Sequence, residues 1–285
     1  MTRGNFSPED VKNQTEGAVR RAAAHPWVER LARFGIASKG IVYAIAGVLA
    51  TQAAFGAGGK ITDTEGALQT ILTQPFGKFL LSAIAIGLIG YVLWRFVQAI
   101  TDPENKGSDL KGIVQRIGYA INGIVYAGLA LTAVKLALGS SGGGGGNSTQ
   151  DWTARLLAQP FGQWLVGMLG AFTLGMGLYQ LYQAYRAKFR GELKWQEMSD
   201  RERTWATRLG RFGLAARGIV FGVTGFFFIQ AARQSDAKEV RGLGGVLVAI
   251  AQQPYGPILL GLVALGLVAY GLYMAVQARY RRVVT

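Results

Sequence analysis

The element Arg33-Phe-Gly-Ile-Ala-Ser-Lys-Gly-Ile-Val-Tyr43 occurs three times, and nothing else in the chain restricts its fold so severely. It returns as Arg116-Ile-Gly-Tyr-Ala-Ile-Asn-Gly-Ile-Val-Tyr126 and as Arg211-Phe-Gly-Leu-Ala-Ala-Arg-Gly-Ile-Val-Phe221. Each copy is followed, at a nearly constant separation, by Gln74-Pro-Phe-Gly77, Gln159-Pro-Phe-Gly162 or Gln253-Pro-Tyr-Gly256. A third marker, Gln98, Gln183 or Gln277, follows at one fixed distance beyond that. Three markers in register define a repeat, and a repeat sets the architecture before any single motif does. The chain divides into a tail (1–26) and repeats at 27–107, 108–195 and 196–285.

Each repeat reads as two membrane spans. Half the residues are hydrophobic and only 16% are charged, the balance of a chain dissolved in lipid. The apolar runs are Phe34 to Phe55, Phe76 to Ile100, Ile113 to Leu138, Phe161 to Tyr185, Phe212 to Ala231 and Tyr255 to Tyr280. At about 1.5 Å per helical residue these cross a hydrocarbon core of about 30 Å. Between the two spans of each repeat lies a short helical segment: Asp63 to Thr73, Ser148 to Ala158 and Lys238 to Gln252. Pro75 and its counterparts end these segments. Gly142 to Gly146 reads as a flexible linker, Asp102 to Gly107 as a polar turn and Arg186 to Arg208 as the longest loop.

A net charge of +14 would suggest nucleic acid in a soluble chain, so its placement matters. The Lys and Arg residues gather in the tail, in the loops around Lys106 to Arg116 and Arg186 to Arg211, and at Arg279 to Arg282. The opposite loops hold only Lys60, Arg155, Arg233, Lys238 and Arg241. That asymmetry places both termini in the cytoplasm, with anionic lipid headgroups as the surroundings of the basic face, and no nucleic acid is expected as a partner. No apolar leader ending in a cleavage site precedes the first span, so the tail reads as cytosolic and the protein as a multi-pass inner-membrane one. Repeats with an even number of spans enter lipid in the same orientation and are related by an axis along the membrane normal. The expected fold is all-α: six transmembrane helices as three parallel two-helix repeats around a pseudo-threefold axis.

Small residues recur on one face of each first helix: Ala37, Gly40, Ala44 and Gly47; Ala120, Gly123, Ala127 and Ala130; Ala215, Gly218, Gly222 and Gly225. In lipid such a stripe brings backbones together. One turn toward the cytoplasm, Arg33, Arg116 and Arg211 either anchor to headgroups or donate to Gln98, Gln183 and Gln277; alternatively they form a cytoplasmic ring able to hold an anion. Deeper lie Lys39, Asn122 and Arg217 at equivalent positions, and Arg95 and Lys135 in other spans. Charge at such depth is costly unless it faces a polar interior, which makes these five the candidate intramembrane polar site.

All sixteen Asp and Glu fall outside the spans, which disfavours proton- or cation-coupled transport and leaves anion passage or a non-transport role. With no Cys, a lone His25 and no phosphate loop, no enzymatic activity, metal or cofactor is expected.

The triplicated Arg-aromatic-Gly-x-Ala-x-x-Gly-Ile-Val-aromatic element with its downstream Gln-Pro-Phe-Gly resembles the DUF1206 family of bacterial membrane proteins, over Trp27 to Arg282. The resemblance implies a six-span inner-membrane protein of three two-helix modules and no particular activity. A looser likeness to mitochondrial carriers is architectural, since their kinked Pro-x-acidic motif is absent: Pro75-Phe-Gly-Lys78 has no acidic residue. The expectation is a channel or carrier for a small anionic or neutral solute. The alternative is a scaffold whose basic Arg186 to Arg211 loop binds anionic lipid or an acidic protein partner.

Overall fold

The computed structural model describes residues 26–101, 109–140 and 148–281. The tail through residue 25 with His25, the Asp102 to Gly107 turn, the glycine run and Arg282 lie outside the described residues. Six helices are long and apolar enough to cross a membrane. They are α1 (Pro26–Ala54), α3 (Gly77–Thr101), α4 (Leu110–Ala137), α6 (Gly162–Arg186), α7 (Asp200–Gln234) and α9 (Gly256–Tyr280). Short helices sit between the members of each pair: α2 (Thr64–Leu72), α5 (Ser148–Leu157) and α8 (Leu243–Ala251). The protein is therefore an all-α polytopic membrane protein. Its long helices carry acidic side chains only in first turns, at Glu29, Asp200 and Glu202.

The Gln-Pro-aromatic-Gly marker is the joint between short helix and returning span. Its aromatic residue is left-handed in all three copies, with φ of 60° at Phe76, 63° at Phe161 and 61° at Tyr255. The Gly that follows closes the turn onto the Gln carbonyl, at 2.8 Å for Gly77, 2.9 Å for Gly162 and 2.8 Å for Gly256. Proline fixes the first turn position, and a positive φ at the next matches the type II pattern. A side chain at Gly256 would overlap the Ala251 carbonyl, so glycine is required there. The three aromatic rings are exposed and form an aromatic girdle at the face carrying the short helices, as interfacial anchors do.

The opposite face carries the repeated arginines and is called the basic face below. There, α7 starts at Asp200 and not near Phe212, so part of the expected loop is helix. Ser199 accepts from the Glu202 backbone N–H while the Glu202 carboxylate accepts from Ser199, a capping box that starts the helix early. Residues 187–199 also pack onto the bundle through their apolar side chains, leaving Lys188 and Arg190 exposed. Phe189, Leu193 and Met198 are buried, Phe189 lies edge-on to Tyr273 at 5.2 Å, and the Lys194 N–H donates to the Tyr280 carbonyl at 2.7 Å.

Around the bundle the order is α4, α3, α1, α9, α7, α6. The closest interfaces join repeats: α1 with α9, α3 with α4, α6 with α7. The small stripes make them, for a Cβ at Gly40 would lie 2.8 Å from the Gly271 carbonyl and one at Gly218 would lie 2.9 Å from the Gly177 carbonyl. Within repeats, α1 packs on α3 and α7 on α9, whereas α4 and α6 share no comparable interface. The threefold plan is realised as a ring open at one seam, inside the second repeat.

Candidate functional site

About a turn and a half inside the basic-face ends of the spans, the ring gathers cations and phenols. Lys39, buried on α1, donates to the Tyr91 hydroxyl of α3 at 3.0 Å. Arg95, one turn beyond Tyr91, donates to the same oxygen through Nε at 2.8 Å and to Gln98 Oε1 through Nη1 at 2.8 Å. The Tyr91 hydroxyl in turn donates a hydrogen bond to Asn122 Oδ1 on α4 at 2.9 Å. Three of the candidate polar residues thus converge on one phenol.

Arg217, buried on α7, donates through Nη1 to Gln180 Oε1 on α6 at 2.8 Å. Its guanidinium carbon lies 4.3 Å from the Phe221 ring centre and 5.0 Å from that of Tyr270, while Nε is buried with no hydrogen-bond partner. The two halves meet through tyrosines. Lys39 Nζ stands 4.7 Å from the ring centre of Tyr126 and 5.7 Å from that of Tyr270, and the Tyr126 hydroxyl donates to that of Tyr43 at 3.2 Å.

The constellation follows the repeat. First helices supply Lys39 with Tyr43, Asn122 with Tyr126 and Arg217 with Phe221, each pair four residues apart and so on one face. Second helices supply Tyr91 with Arg95, Met176 with Gln180 and Tyr270 with Met274 at equivalent positions. Arg95 and Arg217 act on Lys39 as like charges, and no carboxylate balances them on the six spans. Phenol rings are how the site holds the cations: a π-face and a hydroxyl acceptor together solvate charge without neutralising it.

Four expectations need correction. Lys135 is exposed in the last turn of α4, where a cation meets the helix dipole, and takes no part in the cluster. The repeated arginines form neither a ring nor bonds to the marker glutamines. Arg33 donates to the carbonyls of Ala278, Arg279 and Arg281 and pairs with Glu29. Arg116 donates to those of Ala99 and Ile100, both at 2.8 Å. Each of the two caps the C-terminus of the second helix on which its own helix packs, satisfying end carbonyls. Arg211 is exposed. Of the glutamines, only Gln98 joins the cluster; Gln277 is buried but donates to Tyr273 at 3.0 Å, and Gln183 is half-buried and makes none of these bonds.

The sequence reading missed Gln180, Tyr43, Tyr91, Tyr126 and Tyr270. The aromatic closing each repeated element, four residues past Lys39, Asn122 and Arg217, was the available signal.

Comparison with known proteins agrees with the triplication. A family model described as Domain of Unknown Function (DUF1206) matches residues 34–102, 117–187 and 212–281. The chain belongs to the DUF1206 family. It is 40% identical over 258 residues to an uncharacterised protein, YxxB, of Bacillus subtilis (strain 168), covering 90% of this chain and 93% of that one. No solved structure matches. In DUF1206 terms the cluster draws on all three matched segments, Lys39 and Arg95 from the first, Asn122 and Gln180 from the second, Arg217 from the third.

Proposed function

We propose that this protein binds a small anion between its helices and conducts or carries it across the membrane. The observation that supports the reading most is a pair of buried cations, Lys39 and Arg217, beside half-buried Arg95, with acidic side chains confined to the first turns of the long helices and one guanidinium N–H donor, Arg217 Nε, unpaired. A buried charge normally finds a partner, and an anion supplies one. Arg217 offers a planar fork and Lys39 a point charge, with the Tyr43 and Tyr270 hydroxyls as further donors. The distribution of Lys and Arg supports a topology with both termini in the cytoplasm of an inner-membrane protein.

The test is anion flux into vesicles reconstituted with purified protein. Lys39→Ala and Arg217→Ala abolish flux while the protein stays folded; unchanged flux in both rejects the reading. A second reading, of a scaffold at anionic lipid, draws on the exposed Arg186, Lys188, Arg190, Arg201, Arg208 and Arg211 beside exposed Trp205. Neutralising those side chains would then remove vesicle binding, and no flux would be detected in any variant.

A further inference from the structure

The open seam of the ring has a sequence cause. Where α1 packs on α3, Ser38 fits against Gly87, and where α7 packs on α9, Ala216 fits against Gly266; a Cβ on either glycine would collide with its partner. The equivalent pair in the second repeat is Ile121 and Phe172. Two large side chains stand where the other copies need a small one and none. Gly118, whose counterparts Gly35 and Gly213 press on the backbones of Tyr91 and Tyr270, here has only the Phe172 ring tip, 3.6 Å from where its Cβ would be.

Both walls of the seam are uncovered. The Val of the repeated element is 0% exposed at Val42 and 3% at Val220 but 64% at Val125. On the facing helix, Trp94 is 1% and Tyr273 0% exposed, while Tyr179 is 43%. The seam is apolar, and its two walls carry Asn122 on α4 and Gln180 on α6, which bond to Tyr91 and Arg217 of the cationic cluster. A closed bundle would admit ions only along its axis; this one is slit toward the hydrocarbon.

We infer that the seam between α4 and α6 is a lateral entrance, and that the anion is the headgroup of a membrane amphiphile. Its phosphate or carboxylate reaches Lys39, Arg95 and Arg217 while its acyl chain lies between Ile121, Val125 and Phe172. This rests on the anion site proposed above. Charge complementarity selects the occupant: the uncovered apolar seam lies beside cations that have no carboxylate partner among the described residues, and an anionic amphiphile fits both parts. Delivery within the membrane raises its effective concentration over that of a free ion.

The experiment titrates the full-length protein, in a neutral detergent, with dodecyl phosphate and separately with inorganic phosphate. Wild type binds dodecyl phosphate more tightly by about tenfold or more. The double variant Ile121→Ser with Phe172→Gly restores the small pairing of the other repeats; it keeps inorganic phosphate binding and loses that advantage. Equal affinity of wild type for the two ligands, or an advantage undiminished in the double variant, overturns lateral entry and leaves the anion site standing. If Lys39→Met and Arg217→Gln leave both affinities unchanged, the anion site itself fails and this inference with it. Should the double variant not fold, photolabelling of wild type with a diazirine-bearing dodecyl phosphate decides: adducts at Val125, Phe172 or Tyr179 support the entrance, and adducts only elsewhere overturn it. Crosslinks from Val125 to a second copy, with a dimeric mass, also overturn it, since that face would then be a subunit interface.

Discussion

Replacing Lys39 by Met separates a binding cation from a structural one, because the two roles predict opposite effects. The substitution nearly preserves volume and removes a charge that lies inside the bundle. Losing the hydrogen bond to Tyr91 costs about 1.5–3 kcal/mol, as for a charged donor, and losing the three ring contacts costs up to about 2 kcal/mol. Against this, removing an ammonium from inside the span returns up to about 2.5–3.5 kcal/mol, the figure for a helix centre, and repulsion from Arg95 and Arg217 disappears. The terms oppose each other, so stability without ligand changes by no more than about 2 kcal/mol in either direction. With an anion bound, the missing charge-assisted contact costs about 1.5–3 kcal/mol, roughly tenfold to a hundredfold in Kd. The assay is thermal unfolding of purified protein in detergent across a series of inorganic phosphate concentrations. Wild type gains Tm with phosphate; Lys39→Met starts within that margin and gains little. A variant that starts lower by the equivalent of about 3–5 kcal/mol, as when one partner of a satisfied buried pair is removed, and that retains the full phosphate response, refutes the reasoning.

Other consequences are local. Gly256→Ala, whose methyl overlaps the Ala251 carbonyl, destabilises by about 1–3 kcal/mol or more, whereas Gly128→Ala, with nothing within 4 Å, is neutral or slightly stabilising; thermal unfolding of the pair checks both. Arg33→Ala uncovers the carbonyls ending α9 and lowers stability by about 1–2 kcal/mol, while exposed Arg211→Ala stays within about 0.5 kcal/mol, read by the same scan. Phe189→Ala opens a cavity against Gly210 and Tyr273 and costs about 3–5 kcal/mol, with faster proteolysis of residues 187–199 as its signature. Accessibility tags fused to the two chain ends report the same compartment, the cytoplasm; opposite compartments contradict the six-span topology.

The six spans, the stripes and the short helices were legible because lipid imposes a strong length rule and the repeat shows it three times over. Lys39, Arg95, Asn122 and Arg217 were legible because polar side chains in apolar runs need a reason. Lys135 misled because it interrupts an apolar run, yet α4 has 28 residues, about 42 Å, and its last turn clears the hydrocarbon. Gln180 was overlooked because repeat identity pointed to Gln183, three positions on, which makes no bond to the cluster. The arginine caps depended on knowing that each first helix packs on the second helix of another repeat, a pairing that spacing alone does not give. Phe172 needed the same knowledge: aligned with Gly87 and Gly266 it stands out, but its consequence appears only once those glycines are seen beneath Ser38 and Ala216.

The most direct test of a cation cluster awaiting an anion is crystallographic. Crystals of wild type grown in bromide and measured at the bromine absorption edge would give an anomalous peak beside Lys39 Nζ and the Arg217 guanidinium, absent from Arg217→Gln crystals. A map with bromide at the protein surface and none among Lys39, Arg95 and Arg217 would contradict the account.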